Sequence, residues 1–106
     1  MQPSLKCMAY KKRSPTLDCS FIASSASVIG DVSIGENSSV WYDAVIRGDV
    51  QPIKIGNDVC MGDRSLVHDG PTTIGNRVYV GSGATIHGAT LHDECMIGDN
   101  AVILDK

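Results

Sequence analysis

An all-β solenoid is the fold class that three features of this sequence predict. From Ile22 onward an aliphatic residue recurs about every six positions: Ile22, Val28, Ile34, Val40, Ile46, Ile55, Met61, Val67, Ile74, Val80, Ile86, Leu91, Ile97 and Ile103. Glycine follows that residue directly at Gly35, Gly56, Gly62, Gly75, Gly81 and Gly98, and a small or β-branched residue recurs four places after it (Ala26, Val32, Ser38, Ala44, Val50, Val59, Ser65, Val78, Ala84, Ala101). Aromatic residues make up only 5% of the chain, so the interior must be a narrow column of Ile, Val and small side chains.

A period of six is wrong for an amphipathic helix and too long for a simply alternating strand. It suits a hexapeptide solenoid, in which each unit is a short strand plus a corner and glycine supplies the corner backbone. Successive coils then pair as parallel strands about 4.8 Å apart. The pattern resembles the left-handed parallel β-helix family, where three units close one triangular coil, and implies four to five coils here. A β-sandwich with evenly spaced strands is the alternative, but sandwiches rarely keep one register over five consecutive units, as Ile22 to Ile46 do.

Residues 1–17 lie outside this register and carry Lys6, Lys11, Lys12 and Arg13 with no acidic residue. They read as a basic N-terminal leader or arm, either the remnant of an organellar targeting segment or a strap over the first coil. Residues 18–106 form the solenoid domain. Its register admits three extra residues before Ile55 and one before Ile74, and drops one before Leu91. The last unit, Ile103-Leu-Asp-Lys, ends as a strand would begin and leaves a parallel edge that invites association.

A net charge of −3 and a pI near 5.4, with no basic stripe in the repeats, argue against nucleic acid or an anionic membrane as partner. No run of 18 apolar residues suggests a membrane-spanning helix. Cys7, Cys19, Cys60 and Cys95 are scattered without a CxxC pair and read as reduced thiols. Asn37-Ser-Ser39 is read as a polar corner rather than a glycosylation site.

His68 and His87 each follow an inward aliphatic, Val67 and Ile86, and stand three units apart. If three units close a coil, the two imidazoles share one face of neighbouring coils. Two ring nitrogens brought to a common point begin a zinc site; the plain alternative is two surface histidines that align. His92 follows Leu91 in the next unit and belongs to a different face. Trp41 reads as a packing residue at a corner or a subunit contact.

The stretch Ser39-Val-Trp-Tyr-Asp-Ala-Val-Ile-Arg-Gly-Asp49, with Ile53-Lys-Ile-Gly56, Asp63-Arg-Ser-Leu-Val-His68 and Ile86-His-Gly88, resembles the γ-class carbonic anhydrases from about Asp18 to Leu104. The resemblance implies a trimer with zinc between subunits, held by two stacked histidines of one chain and a third from its neighbour. His68 and His87 match the stacked pair, and Ser82 stands where the third histidine is expected. It further implies that Arg47 and Asp49 form an ion pair across the trimer interface. Asp63 is an acid near the site that orients an imidazole or merely occupies a solvated corner. Gly62 replaces a glutamine that orients the reacting water, and the acidic loop after the first histidine shrinks to Asp69–Thr73. A homotrimer of this chain should therefore bind zinc weakly and hydrate carbon dioxide slowly or not at all, while a mixed trimer could keep one site.

The expected function is that of a structural or assembly subunit in a heterotrimer of homologous chains, with a degenerate zinc site. Such subunits resemble those attached to the membrane arm of mitochondrial respiratory complex I, on the matrix side of the inner membrane; a cytoplasmic location is the alternative. One rival is a zinc-dependent carbonic anhydrase active at a mixed interface. Another is a hexapeptide acyltransferase, which would need a histidine base without a stacked partner and a long loop over its cofactor.

Overall fold

Alternate residues of each short strand turn inward, and the buried set is nearly the one that the six-residue spacing selects. In the computed structural model, which describes residues 7–8, 16–18 and 21–104, the twelve aliphatics from Ile22 to Leu91 in that series are all buried, most of them completely. The residues four places on pack between them: Ala26, Val32, Ser38, Ala44, Val59, Ser65, Val78 and Ala84 are at most 2% exposed. Large and small side chains thus fill one continuous column. Among the buried polar members, Ser38 accepts the Val59 N–H and donates to the Gly56 carbonyl, so its hydroxyl is satisfied inside.

Among the described residues no helix occurs and the strands pair in parallel. The chain forms a parallel β-solenoid of about five turns, as expected of a left-handed β-helix. Three walls result. The first stacks Ser27–Ile34, Val45–Ile55, Leu66–His68, Thr85–His87 and Val102–Ile103 in order. The two long strands, Ser27–Ile34 and Val45–Ile55, run on round a corner into the second wall, which continues through Thr72–Ile74 and Thr90–Leu91. A separate five-stranded sheet makes the third wall, from Phe21–Ile22 through Ser39–Val40, Cys60–Met61 and Tyr79–Val80 to Met96–Ile97.

Pairing also extends into the segment read as a leader: Cys7–Met8 and Thr16–Leu17 lie parallel to Ser27–Ile34. Lys6, Lys11, Lys12, Arg13 and Cys19 lie outside the described residues.

Two expectations change. The left-handed corner conformation is carried mainly by other residues, Asn37, Asp43, Asp58, Arg64, Asp69, Arg77, Glu94 and Asn100, all with φ near +60°. Asn and Asp tolerate that region because their short polar side chains bond locally. Five of the six glycines after the aliphatics, all but Gly98, serve close approach instead: a Cβ on Gly62 would stand 2.7 Å from the Val80 carbonyl oxygen. Second, Val50 is 66% exposed rather than inward. The extra residues before Ile55 form an excursion across which the register shifts from Gly30↔Gly48 to Val32↔Ile53, so Ile53 takes the inward place.

The corners are held by side-chain ladders. Asn57 Oδ1 accepts the Glu36 N–H, Asn76 Oδ1 accepts that of Asn57, and Asp93 Oδ1 accepts that of Asn76, each from the coil above to the coil below. In the last coil Met96, Val102 and Leu104 are 79%, 60% and 67% exposed, and Ile97 and Ile103 only half-buried.

Candidate metal centre

Val67 and Ile86 are fully buried partners on adjacent strands, and the residues after them must therefore face outward together. His68 and His87 are direct partners in that register. Their ring centroids lie 4.9 Å apart with planes at 86°, an edge-to-face contact. The stacking expected from the sequence is thus present.

After His68 the chain turns a corner in which Asp69 has φ 56° and Gly70 φ 150°. Gly70 abuts Gly88 of the next coil, and a Cβ on it would meet the Gly88 Cα at 3.0 Å. This tight, glycine-lined corner folds the Asp69 carboxylate back over the imidazoles. Asp69 Oδ2 lies 3.2 Å from His68 Nδ1 and 3.5 Å from His87 Nε2. The three side chains are 20% (His68), 29% (His87) and 49% (Asp69) exposed, so the cluster sits at the surface with one open side.

One ligand atom from each of the three residues lies within 4.8 Å of the others. His68 Nδ1 is itself buried and has no hydrogen-bond partner, although the carboxylate is close. Two imidazoles and a carboxylate that converge on one point are the donor chemistry that zinc takes. The residues present therefore fit the ion that the resemblance implies.

Other residues singled out in the sequence are placed elsewhere. Ser82 stands at the corner that leads into the histidine wall, and His87 at the edge where that wall ends, so one chain does not bring position 82 to its own pair. Ser82 lines a groove of about 230 Å³ with Trp41, Cys60, Gly62, Asp63 and Tyr79. Asp63 is engaged there: its Oδ1 accepts the Tyr42 N–H at 3.2 Å. Gly62, the position read as having lost an orienting side chain, is packed on the next coil and has no room for one.

Arg47 and Asp49 flank Gly48 and bond to each other within the chain, Nη2 to Oδ2 at 3.0 Å. The hydrogen bond from the Arg47 guanidinium holds the Asp49 carboxyl below its ordinary pKa. Asp49 Oδ1 is buried without a hydrogen-bond partner. Trp41 packs on Phe21 at 4.8 Å and donates its Nε1–H to Ser39 Oγ, which agrees with a packing role. His92 is exposed on another face, and Cys60 and Cys95 are free thiols.

Asp69 is the residue that sequence reasoning missed. It entered only as the first residue of a shortened loop. The signal was local: a carboxylate immediately after an outward histidine, followed by glycine, at a corner where Asp adopts a left-handed backbone.

Known proteins resemble this chain in sequence and in fold. Residues 71–105 match the family model described as bacterial transferase hexapeptide (six repeats). The chain is 46% identical to the mitochondrial γ-carbonic anhydrase 2 of Arabidopsis thaliana over 88% of its own length and 37% of that protein's. It is 41% identical to a carbonic anhydrase of Geobacillus kaustophilus, covering 92% of this chain and 56% of the relative. A solved hexapeptide transferase family protein from Anaplasma phagocytophilum superposes with a TM-score of 0.53 at 27% identity, over 92% of this chain and 74% of that one. The chain thus spans roughly a third to a half of the length of these curated relatives.

Proposed function

We propose that this chain is a γ-carbonic-anhydrase-like subunit that assembles with homologous chains into a trimer, contributing His68 and His87 to a metal position while Ser82 contributes no ligand to the next one. The observation that carries this reading is the in-register pair: two imidazoles on neighbouring coils, set at the far edge of the wall from position 82. A chain with that arrangement offers a donor pair at one interface and a blank at the other. Its principal work is then assembly rather than turnover by itself.

Zinc bound at such a position supplies Lewis acidity and brings the pKa of a water near 7, the chemistry that hydrates carbon dioxide. The chain's own residues prepare for that step. Val67 and Ile86 anchor the two histidines through the buried column, and Asp69 supplies negative charge on the open side. The similarity to a mitochondrial plant protein and the basic, acid-free first 17 residues support the matrix side of the mitochondrial inner membrane as the place, with the membrane arm of respiratory complex I as the assembly served.

Co-expression with a homologous chain that carries histidine at the position of Ser82 tests the proposal. Mixed trimers by native mass spectrometry, with carbon dioxide hydration in the mixed species only, are expected. A chain that remains monomeric beside its homologue, or that hydrates carbon dioxide equally well alone, contradicts it. The second reading, a zinc-dependent carbonic anhydrase acting at a mixed interface, is favoured by the convergence of His68, His87 and Asp69 and shares the first half of that experiment.

A further inference from the structure

We infer that Asp69 completes, with His68 and His87, a two-histidine, one-carboxylate site that holds a divalent transition-metal ion within a single chain and clips two successive coils together. The inference rests on the reading above only in placing an ion at the histidine pair. It departs from it in requiring no histidine from a neighbour.

Geometry carries the argument. A tetrahedral ion with ligands at 2.0–2.1 Å separates its donor atoms by about 3.3 Å. Asp69 Oδ2 lies 3.2 Å from one ring nitrogen and 3.5 Å from the other, so both carboxylate edges of such a polyhedron are already in place. The His68 nitrogen on that edge is buried, and the Asp69 carboxylate is the group that faces it. Asp69 reaches the position through a left-handed backbone at φ 56°, and Gly70 and Gly88 close the corner beneath it.

The set is also chemically coherent. Two imidazoles and a carboxylate form a known catalytic zinc set and suit other divalent first-row ions with open positions. His68 and Asp69 belong to one coil and His87 to the next, so an ion bound to all three ties the coils across the open side of a thin solenoid. Metal then stabilises the fold, as any ligand that binds only the native state does. Such a clip serves a subunit whose work is assembly.

The test is zinc uptake by the purified, metal-free chain, measured by competition with a chromophoric chelator and by the melting temperature with and without zinc. One zinc per chain is expected, with a rise in melting temperature. Asp69→Asn keeps the shape and tolerates the left-handed backbone, and it should weaken zinc at least about tenfold and alter the visible spectrum of the cobalt-substituted protein. Equal affinity and an unchanged cobalt spectrum in Asp69→Asn, with zinc still lost in His87→Ala, overturn the inference and leave the proposed function standing. Zinc taken up by Ser82→His but not by the native chain has the same meaning. If neither chain takes up zinc, the inference and the metal position of the proposed function fall together.

Discussion

His68 and His87 face each other across one strand spacing, ring centroids 4.9 Å apart, because Val67 and Ile86 beneath them are register partners in the buried column. The proposed metal position is therefore a product of the solenoid's period rather than of a loop. Replacing either histidine should spare the fold, since both side chains are partly exposed. His68→Ala and His87→Ala are expected to cost metal-free stability only about 1 kcal/mol. Both should abolish zinc uptake, read by chemical denaturation and metal analysis on the same samples.

Truncation below the pair should act in the opposite way. Ile86 is completely buried between neighbouring coils, and Ile86→Ala leaves a cavity in a column too narrow to collapse around it. A loss of about 2–5 kcal/mol is expected, measured as a shift in denaturation midpoint. Zinc affinity should fall with it, because the anchor of His87 is loosened.

Gly62 marks a position that the next coil has closed. A Cβ there would meet the Val80 carbonyl oxygen at 2.7 Å and the Gly81 carbonyl carbon at 2.9 Å, both backbone atoms. Gly62→Ala should cost about 1–3 kcal/mol by overpacking, and Gly62→Gln at least as much. Thermal melts of the two variants check this. A glutamine that left stability unchanged would show that the coils can part at this point.

The Arg47–Asp49 pair predicts a pH dependence. The Asp49 carboxyl is held below its ordinary pKa chiefly by the hydrogen bond from Arg47. Its contribution to stability is thus fully present above the ordinary carboxylate range and is lost as pH falls through the lowered folded value. Native protein and Asp49→Asn should differ in melting temperature at neutral pH and converge in acid. Salt should shrink the difference, because Arg47 is 43% exposed.

Ser82 is half-buried and keeps only backbone duties that any residue can perform: its N–H donates to Asp99 Oδ1 at 3.0 Å and its carbonyl accepts the Asn100 N–H. Ser82→His should therefore fold. In a homomeric assembly it restores a third imidazole to each interface and should raise the carbon dioxide hydration rate above that of the native chain. Stopped-flow hydration assays of the two proteins decide this.

Much of this structure could be read from residues alone because a solenoid repeats its own instructions. The twelve aliphatics from Ile22 to Leu91 had to be inward once a period of six was recognised, and the alignment of His68 with His87 followed from counting three units between them. What escaped was set by contacts between coils. Val50 was misjudged because the excursion from Asp49 to Pro52 shifts the register and hands its place to Ile53. The glycines after the aliphatics were assigned to corner conformation, when at all but Gly98 the backbone and Asn or Asp side chains of the next coil are what exclude a side chain. Asp69 was passed over because its importance depends on one left-handed dihedral at a corner, which spacing does not encode. For Asp63 the resemblance left two roles open, orienting an imidazole or occupying a corner, and within the chain its carboxylate caps the Tyr42 backbone.

The account stands most directly on where metal sits in the assembled protein. Crystals grown with zinc and measured on either side of the zinc absorption edge should show an anomalous peak between His68 and His87 of each chain, on the side where Asp69 folds over them. Zinc-loaded crystals with no peak at that pair, or with the metal held only by residues of another wall, would contradict it.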